Sequence, residues 1–141
     1  MNMVLIGITP TARSPAAPYH FPMPAYMLLI VEDPAQRTTR TEAEGRAVFG
    51  QMVDYAEQLK QRGVLKAVES LSSPNADAAR VQVRGGQTRL VDGPFAEAKE
   101  MVGGFFLVDV PGRDEAIRLA RECPAAKWAT VEVRAVGPCF T

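Results

Sequence analysis

Hydrophobic and polar positions alternate along this chain in two periods, and the switches between them predict its elements. Ala25 to Val31 is apolar on both faces, as expected of a strand covered on both sides; Glu32-Asp33-Pro34 ends it, and a polar loop leads to Thr41. Thr41 with Glu44 three residues on predicts a capping box. The helix it opens runs to about Arg62, with Val48, Met52, Tyr55 and Leu59 forming an apolar stripe that Phe49, Val53 and Ala56 broaden. Gly63 supplies its stop.

A less regular strand over 64–71 follows. Arg80 to Arg84 and Gln87 to Val91 then alternate around Gly85-Gly86, a hairpin that sets Val83 opposite Thr88 and Val81 opposite Leu90. Val102 to Val110 is again strand, where Gly103-Gly104 permits a bulge or a close backbone approach. Asp114-Glu115 opens a short helix burying Ala116, Ile117 and Ala120 and ending before Pro124. The last strand, over 128–136, puts Val131 and Val133 on one face and Glu132 and Arg134 on the other.

This order predicts an α+β fold, a ferredoxin-like sandwich with both helices on one sheet face. The other face is also apolar, and burying it sheet to sheet against a second copy makes a homodimer. Residues 1–22 read differently: four prolines and no sustained periodicity describe a disordered extension or a misassigned start ahead of Met23. A single domain over 23–141 accounts for the rest.

Composition narrows the function classes. Apolar residues at 47% and charged residues at 23% suit a soluble globular domain, expected in the cytoplasm, and no apolar run is long enough to span a bilayer. A formal net charge of zero supplies no field to gather nucleic acid or anionic lipid. Cys123 and Cys139 lie far apart with no histidine near them, so neither a disulfide framework nor a metal site is expected. No phosphate loop or dinucleotide fingerprint is present, and no cofactor is expected.

The chemistry concentrates in residues 92–100. Asp92-Gly93-Pro94 is turn chemistry, but a turn does not need Glu97, Lys99 and Glu100 behind it. Asp92 is the candidate general base, against a plain role as a turn-forming carboxylate. Phe95, Lys99 and Glu100, with Glu132 and Arg134 two apart on the last strand, are the candidate binding residues for a small polar ligand. The alternatives are a loop anchor for Phe95 and solvated surface charges for the rest. All six are expected around one cavity.

Tyr26-Met27-Leu28-Leu29-Ile30, the run Asp92-Gly93-Pro94-Phe95-Ala96-Glu97-Ala98-Lys99-Glu100, Gly103-Gly104-Phe105-Phe106 and Val131-Glu132-Val133-Arg134 together resemble the DGPF branch of the YCII-related family, over residues 24 to about 137. The resemblance implies a dimeric α+β barrel of unestablished function, with a sigma factor as an implied partner. Many members carry a helix histidine and an aspartate before a proline. Here spacing puts Met52 and Cys123 at those positions, which removes the usual acid–base pair. Three readings stay open: a cofactor-free proton-transfer enzyme (isomerase or lyase), a binding or regulatory module, and an interaction protein defined by its dimer face.

Overall fold

The computed structural model describes residues 25–73, 77–95 and 97–140. The expectation for residues 1–22 lies outside them.

Strand β1 (Ala25–Glu32) pairs antiparallel with β5 (Met101–Asp109) on one side and β6 (Thr130–Ala135) on the other, and β2 (Leu65–Ser70) pairs with β5. The sheet order is therefore β2-β5-β1-β6, with all neighbours antiparallel. β3 (Ala79–Arg84) and β4 (Gln87–Asp92) form a separate two-stranded sheet. Edge strands β2 and β6 do not pair with each other, so the single chain makes an open sheet in a mixed α+β architecture, not a closed barrel.

Alternation along β1 decides where the core sits. Leu28 and Ile30 lie opposite Phe106 and Gly104 of β5 and opposite Val133 and Val131 of β6. This face is covered by α2 (Glu42–Gln61), through Tyr55 and Leu59, and by α3 (Arg113–Glu122), through Ala116, Leu119 and Ala120. Met27, Leu29, Phe105 and Leu107 alternate with these residues, face away from the helices, and are half-buried.

The capping box at Thr41 and Glu44 is present on both sides, and Gly63 takes a φ of 73° where α2 stops. Phe49 and Val53 do not broaden the buried stripe. They are exposed, because a helix resting on one sheet buries one side only. In α3, Leu119 is fully buried and Ile117 half-buried, so the core face is rotated from the expected one. A short helix α1 (Ala35–Thr39) occupies the expected polar loop. A 3-10 turn over Pro124–Lys127 delays β6 to Thr130.

One hydroxyl reaches through the core. Tyr55 packs edge-on against Phe106, with ring centroids 5.1 Å apart, and its Oη donates to the Leu119 carbonyl at 2.6 Å. Burial, with Cys123 and Glu122 nearby and Arg62 opposing, pushes the phenol upward and keeps it a donor. Tyr55→Phe keeps the ring contacts and is expected to lose about 1 kcal/mol in urea denaturation. An unchanged midpoint would show that this bond adds nothing.

Candidate functional site

The C-terminal end of β1 and the N-terminal ends of β5 and β6 meet at one end of the sheet. A hollow of about 350 Å³ lies there, lined by Val31 and Glu32 from β1, Asp33 just after it, Lys99 and Glu100 ahead of β5, and Trp128 to Thr130 leading into β6.

The parity that carries Leu28 and Ile30 into the core carries Glu32 to the same side, and only 6% of it is exposed. A carboxylate there needs a partner. Asp33 Oδ1 accepts from the Ala35 amide at 2.9 Å, which turns the chain into α1 and returns Arg37 over Glu32. Arg37 Nε donates to Glu32 Oε1 at 2.9 Å, and Nη2 stands 2.7 Å from the same oxygen. The guanidinium also donates to the carbonyls of Leu71, at 2.6 Å, and Gly103, at 3.1 Å. One side chain thus ties β1 to β5 and to the segment after β2.

The two glycines of β5 make room for this. The pairing of β1 and β5 shifts between Ile30 and Val31, leaving Gly103 as the extra residue of a bulge. A Cβ at Gly103 would overlap Glu32 Oε1 and stand 2.8 Å from Arg37 Nη2, and one at Gly104 would stand 2.8 Å from the Glu69 carbonyl oxygen. Both the bulge and the close approach expected from the sequence occur, at adjacent residues.

Trp128 forms one wall of the hollow. Its carbonyl accepts from Gln36 Nε2 at 2.7 Å, and the Arg40 guanidinium lies 5.8 Å from the ring centroid. The hollow thus combines an enclosed carboxylate, two further carboxylates, an ammonium and an aromatic face. That set suits a small ligand carrying both donors and acceptors, held by charge-assisted bonds.

The six residues expected around one cavity divide. Lys99 and Glu100 line this hollow. Phe95 lines a second one, with Arg80, Gln82, Arg89, Val91, Pro94 and Glu97. Asp92 ends β4 opposite Ala79, and its side chain lines neither hollow. Glu132 and Arg134 stand exposed on β6, opposite Leu29 and Met27 on the sheet face that the helices leave uncovered. Glu32 and Arg37 escaped sequence reasoning, although the strand's parity was the available signal for Glu32.

The positions implied for an acid–base pair lie elsewhere. Met52 packs against the core, and Cys123 is buried there, its thiol pushed up by burial against the lowering effect of the Ala125 and Ala126 amides. Neither lines either hollow. Among the described residues, no group of three or more His, Cys, Asp or Glu side chains is placed to hold a metal ion, and no helix is long and apolar enough to cross a membrane.

Residues 25–139 match the profile of the YCII-related domain. An uncharacterized protein of Rhizobium meliloti (strain 1021) is 31% identical over 105 residues, covering 74% of this chain and 84% of that protein.

Proposed function

This chain belongs to the YCII-related family, and from that premise we propose that it is a small-molecule-binding protein that takes a small polar ligand in the hollow at the end of β1. The observation that carries the reading is Glu32, an almost wholly enclosed carboxylate that Arg37 holds in place and that lines the same hollow as Lys99 and Glu100. An oriented charge at the edge of a low-dielectric core gives strong, directional contacts to a polar ligand. Lys99 supplies the countercharge for an acidic group on that ligand, and Trp128 a flat wall.

The reading includes a homodimer. Met27, Leu29, Phe105 and Leu107 form an apolar strip on the uncovered sheet face, and a second copy laid against it would turn a ferredoxin-like sandwich into a dimeric barrel. Glu132 and Arg134 would then stand at the seam. The motif over residues 92–100 supports placing the chain in the DGPF branch, as a cytoplasmic regulatory protein with a sigma factor as partner. The second reading is cofactor-free proton transfer of isomerase or lyase type in the same hollow, where Glu32 and Glu100 line the space and Asp92 does not.

The test pairs light scattering with a thermal-shift screen of small polar metabolites on the full chain. Two chains per particle are expected, with at least one compound that raises the melting temperature of the wild type but not of Lys99→Met. A monomer at micromolar concentration would remove the barrel. Stabilisation that survives in Lys99→Met would remove the ligand from this hollow, and turnover of a stabilising compound would favour the enzyme.

A further inference from the structure

The hairpin carries chemistry that the hollow beside Glu32 does not use. Its register sets Gln82 opposite Arg89 and Arg80 opposite Val91, so these four side chains leave the same face. Phe95, three residues beyond the end of β4, brings its ring under Arg80, with the guanidinium carbon 3.9 Å from the ring centroid. Together with Pro94 and Glu97 they enclose a hollow of about 430 Å³, within the range of small-molecule sites.

Three properties of this hollow select its ligand. Among the described residues neither Arg80 nor Arg89 has an ion-pair partner, and Glu97 is the single carboxylate in the lining. On a chain of zero net charge this is a local positive excess. A guanidinium lying on an aromatic ring presents its planar fork in a set orientation, so less freedom is lost when two oxygens dock on it. Val91, Pro94 and Phe95 supply apolar walls that a bare inorganic ion would leave unfilled.

We propose that this face of the hairpin binds a small organic oxyanion, a carboxylate or phosphate head joined to an apolar body. Arg80 and Arg89 hold the head, the Gln82 amide adds a donor, and the body rests against Val91 and Pro94. Two arginines on a neutral chain give no long-range field, which separates this site from a nucleic-acid surface. The site stands apart from the hollow beside Glu32, and neither depends on the other.

The test is calorimetric titration of the full chain at low ionic strength with benzoate, phenyl phosphate and inorganic phosphate. Benzoate or phenyl phosphate is expected to bind, and Arg89→Met to weaken it by about tenfold or more, the loss of one good charge-assisted contact. Arg89→Lys, which keeps the charge without the fork, should fall between, and Arg46→Met on α2 should bind as the wild type does. Arg80→Met is expected to match Arg89→Met; because it also removes the stack on Phe95, the Arg89 variants carry the decision. Benzoate and phenyl phosphate both failing to bind at millimolar concentration, or wild-type affinity in Arg89→Met, overturns the site. Inorganic phosphate binding as tightly as phenyl phosphate overturns the apolar body.

Discussion

Arg37→Met is expected to lower folding stability by about 3 kcal/mol, the lower end of the cost of breaking a buried pair. Glu32 keeps 5% of its side-chain surface exposed, whereas Arg37 keeps 25%, so water reaches the guanidinium more readily than the carboxylate. Methionine fills much of the arginine's volume but leaves the Glu32 carboxylate without a cation and removes the donor to the Leu71 and Gly103 carbonyls. Glu32→Met/Arg37→Met removes both charges together and is expected to recover most of the loss, since an apolar pair of similar volume often does as well as a buried ion pair. Urea denaturation of the two variants decides. A single-variant loss under about 1 kcal/mol would place the pair among solvent-screened surface bridges.

The adjacent glycines should fail in different ways. At Gly104 an added Cβ meets a main-chain oxygen of β2, which can yield only if the two strands move apart, and Gly104→Ala is expected to cost about 1–3 kcal/mol. At Gly103 the obstacles are the ends of two side chains, Glu32 Oε1 and Arg37 Nη2, which could swing away were they not holding each other. Gly103→Ala should therefore cost about as much as losing the ion pair, about 3 kcal/mol. Glu32→Ala supplies the discriminating background. In it, the added cost of Gly103→Ala should nearly vanish, while that of Gly104→Ala should persist. Equal costs in both backgrounds would show that the Gly103 bulge resists a side chain for reasons other than Glu32.

How much could be read in advance depended on whether a feature is local. The hairpin register, Val81 opposite Leu90 and Val83 opposite Thr88, followed from alternation around Gly85-Gly86, and both glycines take positive φ, 57° and 76°. The Thr41–Glu44 box is complete within four residues. Helix α1 was not legible, because Gln36, Arg37, Thr38 and Thr39 show no apolar stripe; the Asp33 turn and the reach of Arg37 to distant carbonyls hold it. The charge density of residues 92–100 was visible, but its division between two hollows was not. Lys99 and Glu100 meet the end of β1, while Phe95 turns under Arg80, and only the path of the chain from β4 to β5 separates them.

The hairpin bears on how the molecule assembles. β2 pairs with β5 across residues 71–100, and the β3–β4 pair lies inside that connection. Ala79 and Asp92 are partners at its base, and the Gly93 amide donates to the Ala78 carbonyl at 2.6 Å, closing the ladder one step further. Once formed, even transiently, it takes residues 79–92 out of the flexible loop and roughly halves the chain that must be closed, sparing about 0.6 kcal/mol of closure entropy. Hairpins form from their own residues in roughly microseconds. Formed first, it shortens the conformational search by which β2 finds β5, the one seam of the four-stranded sheet that joins the two halves of the chain without β1.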